Sequence, residues 1–558
     1  MISTGRLALP IGTTNYKKIC NSYYYVDKTL MIKDILDEGT EISLFTRPRR
    51  FGKTLNMDML RTFFEKSAED TSIYFRNKKI WGQGEAYTKH QGKYPVIFLS
   101  FKDANKLSWE ELYARLIETI RDEFFRHSAL KDSEKISNPD FYKKIISGEA
   151  TQAEYSISIL RLSRMLREHY GQRVILIIDE YDTPIQAGYV NGFYDEAIQF
   201  IRDLFSSALK DNDNLEYGFL TGILRVGKES IFSGLNNIYV YSVFDEKFSE
   251  YFGFTAAEVE QLTQYYDFHE KLAEIKAWYD GYKFGDTEIF NPWSVLNYLK
   301  NNCRPIPYWV QTSSNGTINE IIKSLDTETY HKLREIINGT AVSSIVTTNV
   351  IYPELKDKSD SIFGFLLMTG YLKSIKTSFT ARGNILCQLC IPNKEIENVY
   401  YNEILAQLED GVSINTANNI SEALLHKNGK ALKAALNTFL LETISYYDTL
   451  NENYYHGMLL GMTAIFAHDY YTSSNRESGL GRYDIQLMPK KAGLPGIIIE
   501  VKAVAKASDE ILKSVAVQAL QQIEEKKYDT ELQRAGVQEV YKYGIAFCGK
   551  QVEVAIKG

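Results

Sequence analysis

The sequence predicts an α/β protein in three parts: an N-terminal parallel sheet covered by helices, a helical middle region, and a C-terminal α/β unit. Three observations carry this prediction. Short apolar runs alternate with amphipathic helical stretches up to about residue 235. One of those runs leads into a Gly-Lys-Thr loop, and another ends in paired carboxylates. Near the C-terminus a further apolar run ends in a glutamate and a lysine two residues apart.

Composition narrows the function classes. At about 150 residues per domain, 558 residues allow roughly three to four domains. A hydrophobic content of 44% with 24% charged residues excludes disorder for most of the chain. The 64 Lys+Arg against 71 Asp+Glu exclude a polycation, so any nucleic-acid contact must use local basic patches. The cysteines, Cys20, Cys303, Cys387, Cys390 and Cys548, are few and odd in number, which points to a reducing compartment. Cys387 and Cys390 have the spacing of a metal pair, but no second pair exists. They sit in an apolar run, 384–391, that reads as a buried strand with the two sulfurs on opposite faces. The N-terminus lacks the apolar core of a signal peptide. No run approaches the roughly 20 apolar residues of a membrane span. The expectation is a soluble, cytoplasmic protein with no membrane partner.

The first part, 1–235, has apolar strands at 41–46, 94–100, 174–178 and 216–221. Helical stretches at 109–125 and 157–170 lie between them, the pattern of a parallel sheet buried on both faces. The middle, 236–410, is rich in helix signals and aromatics, which read as core packing. The last part, 411–558, opens with helices. It continues with strands between 470 and 503, a helix over 508–527 and a strand at 543–547.

Strand 41–46 runs into Arg47-Pro-Arg-Arg-Phe-Gly-Lys-Thr54 and then a helical pattern. A helix start offers unpaired N–H groups and a positive dipole end to phosphate. Gly52 allows close backbone approach, Lys53 would reach the β- and γ-phosphates, and Thr54 would ligate magnesium. Arg50 and Phe51 complete the stretch expected to cradle the nucleotide. Arg47 stands where a glycine usually leads such a loop. Arg47, Arg49 and Arg50 also form a candidate patch for nucleic-acid phosphates. The run 174–178 ends in Asp179-Glu180, at the strand end that faces the ligand crevice. Asp179 would hold magnesium and Glu180 would activate water as general base; the competing reading is a cap on the turn at Asp182-Thr183-Pro184. Thr221 and Arg225, after the next strand, are candidates to sense the γ-phosphate, or are equally an ordinary turn and a solvated arginine.

In the last part, Gly479 and Gly481 mark a hairpin and Asp484 follows it. Glu500 and Lys502 share one face of the strand that begins near Gly496. Two carboxylates suit magnesium or manganese, and a lysine beside them suits phosphodiester hydrolysis. The bland alternative is a Glu500–Lys502 surface pair, disfavoured because the strand Ile497-Ile-Ile499 is core-like. Glu452, His456, Glu477 and Gln522 are auxiliary candidates for which a cap or helix-surface role is at least as good a reading.

These motifs together resemble the bacterial proteins with an N-terminal AAA-ATPase-like domain and a C-terminal PD-(D/E)xK nuclease-superfamily domain, whose fold is restriction-endonuclease-like. The resemblance rests on Tyr25-Val-Asp-Lys-Thr29, the 47–54 loop, Ile178-Asp-Glu-Tyr-Asp182 and Phe252-Gly-Phe-Thr255. It extends to Trp278-Tyr-Asp-Gly-Tyr282, Asn291-Pro-Trp-Ser294, 474–484 and Ile499-Glu-Val-Lys502. It implies an ATPase at Lys53, Thr54, Asp179 and Glu180, and a nuclease centre at Asp484, Glu500 and Lys502, with Tyr483 in place of the superfamily's proline. ATP and Mg2+ (or Mn2+) are the implied cofactors and DNA the implied partner. AAA-like domains often assemble into rings, so a homo-oligomer is also an expectation. The main functional expectation is an ATP-dependent or ATP-regulated nuclease, with Arg47, Arg49, Arg50, Arg476 and Arg482 meeting DNA phosphates. The alternative is an ATP-controlled switch whose nuclease fold grips nucleic acid or protein without cutting it.

Overall fold

The computed structural model describes residues 5–226, 237–309, 327–337, 339–356, 359–400, 414–443, 452–466 and 469–557. The chain divides into two compact units, Met1–Tyr330 with Ala341–Ile396, and His331–Thr340 with Glu397–Gly558. The expected borders at 235 and 410 lie outside the described residues.

The first unit is built on five parallel strands: β1 (Ile42–Thr46), β2 (Val96–Ser100), β3 (Val174–Asp179), β4 (Leu215–Gly222) and β5 (Ile238–Tyr241). Their spatial order is β2-β3-β4-β1-β5. Every residue of β1 and β3 is buried, as strands covered on both faces require. The order places β4 between β1 and β3, so the loop after β1 and the acids after β3 flank the end of β4. Helix α1 (Lys53–Phe64) follows β1, α2 (Trp109–Arg126) follows β2, and α3 (Ser158–Tyr170) precedes β3. Ser108 starts α2 by accepting the Glu111 N–H. Helix α4 (Thr183–Asn191) comes directly after the acids of β3.

The region after β5 carries helices, as expected, and also two small antiparallel sheets. One pairs Phe254–Thr255 and Tyr282–Phe284 with Thr287–Phe290. The other pairs Val342–Val346 and Lys373–Phe379 with Ile385–Cys390. Cys387 is buried in that sheet and Cys390 only half-buried, in keeping with thiols on opposite faces. Helix α5 (Pro292–Lys300) begins at Asn291, whose side chain accepts the Trp293 and Ser294 N–H groups.

In the second unit a mixed sheet runs β6 (Tyr470–Ser474), β7 (Ile485–Pro489), β8 (Gly496–Ala503), β9 (Val540–Cys548) and β10 (Gln551–Lys557). Only β8 and β9 are parallel. Ile497, Ile499 and Val501 of β8 pack with Leu436, Phe439 and Leu459. Ile498 turns the other way, to Tyr483, Ile523 and Tyr528. Glu500 and Lys502 share the face of Ile498. Helix α6 (Glu452–Met462) precedes the sheet, and α7 (Asp509–Glu525) lies against β9. Gly544 permits that approach: a Cβ there would stand 2.2 Å from Ala516 O and 2.4 Å from Leu520 N. Among the described residues no helix is long and apolar enough to cross a membrane.

One buried acid braces the first unit. Glu395 accepts hydrogen bonds from the Ser294 hydroxyl and from the Trp309 N–H at 2.8 Å. Burial pushes its carboxyl up to about 7, with those donors opposing. Its folded pKa thus lies above the unfolded one, so the folded chain holds the extra proton. That contribution, on the order of 3 kcal/mol, is complete below about pH 4.5 and lost as pH rises through 7. Glu395→Gln should therefore gain in thermal midpoint relative to wild type between pH 5 and pH 8.5. A constant difference across that range would contradict this reading of Glu395.

Candidate active sites

In the first unit, the turn between β1 and α1 spans residues 47–52. Gly52 adopts φ 81°, a left-handed conformation that suits glycine, and no side chain caps α1. The first N–H groups of the helix are left to a ligand. Lys53 is only 5% exposed, and its Nζ donates to Arg47 O at 3.0 Å and Pro48 O at 2.9 Å. Burial lowers its pKa, against the pull of Glu180, Asp182 and Asp179.

Asp179 gathers three hydroxyls from three elements. Thr54 of α1 donates to Oδ2 at 2.8 Å, Ser100 of β2 to Oδ2 at 3.3 Å, and Thr221 of β4 to Oδ1 at 2.7 Å. Glu180 adopts φ 55°, strained for a residue with a Cβ, and its N–H donates to Thr221 Oγ1 at 3.3 Å. Burial raises its carboxyl, opposed by Lys53. Asp182, just before α4, makes no cap hydrogen bond to that helix; its Oδ2 accepts Ile223 N at 2.7 Å and Leu224 N at 3.0 Å and so holds the segment that follows β4.

A cavity of about 830 Å³ opens here, and Arg50, Phe51, Gly52, Lys53, Thr54 and Glu180 line it. Asp179 lies behind Thr54, and Arg225 does not line the cavity; it sits on a two-residue strand paired with Asn349–Val350. Phe51 is fully buried and packs against Tyr282 and Phe284, so it anchors the loop. Arg47 corrects an expectation. It is fully buried, donates from Nη1 to Thr46 O at 2.8 Å and Tyr241 O at 2.7 Å, and lies over the rings of Phe252 and Phe284. Burial pulls its pKa down to about 9. It ties β1 to β5 and is unavailable to nucleic acid.

Sequence reasoning missed further lining residues. Lys28, Gly253, Phe254 and Trp293 all reach this cavity. Their signal was present in the runs 25–29, 252–255 and 291–294, which have no chemistry until the fold brings them together. Lys28 is spent on Glu258, to which Nζ donates at 2.7 and 2.5 Å.

In the second unit, Asp484 precedes β7 and its Oδ2 accepts the Val501 N–H at 2.7 Å, which seats it beside Glu500. Glu500 is 2% exposed. Its Oε1 accepts from Lys502 Nζ at 3.3 Å and from Gln522 Nε2. Its Oε2 is buried and has no hydrogen-bond partner among the described residues. Burial and then Asp484 push the Glu500 carboxyl up to about 7, against Lys502. Burial also raises Asp484. Burial acts to lower Lys502, but Glu500 and Glu452 outweigh it and raise the ammonium.

The auxiliary candidates separate. Glu452 Oε1 stands 3.8 Å from Lys502 Nζ. His456 Nε2 lies 3.1 Å from both Asp484 O and Ser474 Oγ. Gln522 is bonded to Glu500 and, at 3.1 Å, to Tyr528 OH. Glu477 stands on the exposed hairpin, 3.7 Å from Arg482. A buried carboxylate oxygen without a donor, next to a second carboxylate, fits a hard divalent cation. Among the described residues no three His, Cys, Asp or Glu side chains form a ready metal cage. A cation at this pair would complete its shell with water and phosphate oxygens.

Comparison with known proteins agrees with this division. Residues 10–232 match the family model described as "Predicted AAA-ATPase", and residues 450–556 match the PD-(D/E)XK nuclease superfamily. A protein of Azotobacter chroococcum mcd 1, described as "Uncharacterized protein in vnfD 5'region", is 25% identical over 492 residues, covering 86% of this chain and 81% of that one. A solved structure titled "Structure of Drosophila ORC bound to AT-rich DNA and Cdc6" is 12% identical and covers 70% of this chain and 96% of its own, but at a TM-score of 0.19 it adds nothing to the account. The chain thus carries an AAA-ATPase-like domain followed by a PD-(D/E)XK nuclease-superfamily domain.

Proposed function

We propose that the first unit hydrolyses ATP and that the second is a divalent-metal-dependent nuclease whose substrate is DNA. The observation that carries the nuclease reading is the partnerless, buried Oε2 of Glu500 beside Asp484. Such an atom is costly unless a cation meets it.

In the nucleotide pocket, the N–H groups of Gly52, Lys53 and Thr54 would hold the phosphates, with Lys53 leaving the carbonyls of Arg47 and Pro48 for phosphate oxygens. Thr54 and Asp179 would hold magnesium. Glu180 would take the proton of the attacking water, and its raised pKa makes it a better base than an exposed glutamate. In the nuclease centre, Asp484 and Glu500 would hold magnesium or manganese, which when bound acidifies water and offsets charge on the phosphodiester. Lys502 would orient the nucleophile or stabilise charge, and Gln522 fixes the Glu500 rotamer. Exposed Arg476 and Arg482 would meet the polymer backbone; the ion pair of Arg482 with Glu477 is long and exposed and leaves its head accessible.

Lys53→Ala should lower ATP turnover by about 100-fold or more, measured as phosphate release. Wild-type rates in that variant would end the nucleotide assignment. Metal-dependent nicking of plasmid DNA should fall by about 100-fold in Lys502→Ala and about 10-fold in Gln522→Ala. Cutting by Lys502→Ala at the wild-type rate would remove the nuclease centre from this site.

A further inference from the structure

The loop 47–52 holds three arginines in three different environments. Arg47 is interior. Arg50, at φ 71°, lays its guanidinium 4.4 Å from the centre of the Trp293 ring. Arg49 is half-buried on the cavity wall and donates from Nη2 to Gln186 Oε1 at 2.9 Å. Gln186 belongs to α4, the helix that begins just after Asp179 and Glu180. Arg49 shares the cavity wall with Lys53 and Glu180. Its backbone is held from the other side: Trp309 Nε1 donates to Arg49 O at 3.3 Å, and Trp309 N is itself fixed by Glu395. Trp309 lies beyond the residues that match the ATPase model.

We propose that Arg49 is a catalytic residue of ATP hydrolysis, supplied in cis, that leaves Gln186 to bind the terminal phosphate. This rests on the ATPase reading above. The argument is one of charge and reach. Lys28, Arg49, Arg50, Lys53 and Lys102 line the cavity with Glu180 and Asp182, five cations against two anions, so the wall suits a polyanion such as a triphosphate. Lys53 donates to two loop carbonyls, and Arg49 is a second lining cation whose hydrogen-bond partner is a neutral amide oxygen. A phosphate oxygen offers it a charge-assisted hydrogen bond, roughly twice as strong as a neutral one. As the water oxygen bonds to the γ-phosphorus and the bond to the bridging oxygen breaks, Glu180 takes the water proton. ADP leaves with the bridging oxygen and inorganic phosphate with the γ-phosphorus. Negative charge builds on the bridging and γ oxygens, where a guanidinium is worth most.

The test uses the full chain and fluorescent ATP. Arg49→Ala should bind nucleotide within about tenfold of wild type while its kcat falls about 100-fold or more, and Arg49→Lys should fall between the two. Added guanidinium ion should restore part of the Arg49→Ala rate, which a purely structural role would not allow. Mixing Arg49→Ala with Lys53→Ala should restore nothing, because each lesion disables its own pocket. Wild-type kcat in Arg49→Ala, or recovery on mixing, would overturn the proposal and leave the ATPase reading standing. A wild-type chain that binds ATP and never turns it over would overturn both.

Discussion

The proposed nucleotide pocket depends on one buried carboxylate. Asp179 is fully buried at the end of β3, and its direct partners are the hydroxyls of Thr54, Ser100 and Thr221. Those three side chains come from α1, β2 and β4, so a single carboxylate fixes how the loop helix sits on the sheet. All three donors are neutral hydroxyls. The parallel sheet makes this convergence possible, because all its strands deliver their carboxyl ends to one edge.

The second unit solves the same problem differently. Its sheet is mixed, so no row of strand ends converges. The carboxylates meet because Asp484 reaches across to the Val501 N–H and because residues two apart on β8 share a face. Gln522 and Lys502 occupy one oxygen of Glu500 and leave the other bare. In both units the acids sit where an apolar strand runs out, and burial there raises Glu180 and Glu500 alike.

Much of the scaffold was legible in the sequence, for a physical reason. Strands β1 and β3 are buried on both faces and read as unbroken apolar runs bounded by polar turns. β5, Ile-Tyr-Val-Tyr, is a short edge strand with half its surface showing, and nothing local marks it as the partner of β1. β10 alternates polar and apolar residues and was visible in principle by its period of two. Arg47 was misread because an arginine in a basic run looks solvated. Only the distant Phe252, Phe284 and Tyr241 make its burial possible. Gln522 reads from the sequence as an auxiliary candidate or a helix-surface residue, and only the fold brings its amide to Glu500 and Tyr528. Trp293 and Trp309 were legible only as aromatics, since their contacts with Arg50 and Arg49 join segments far apart in the chain.

The central claim is that each unit holds carboxylates arranged for a divalent cation. Equilibrium binding of Mn2+ to the full chain, counted from the free-ion resonance, tests it most directly. The account predicts a site present without nucleotide that Glu500→Gln removes. It predicts a second site that appears with a non-hydrolysable ATP analogue, survives Glu500→Gln and is lost in Asp179→Asn. Equal numbers of bound ions in wild type and both variants would contradict it.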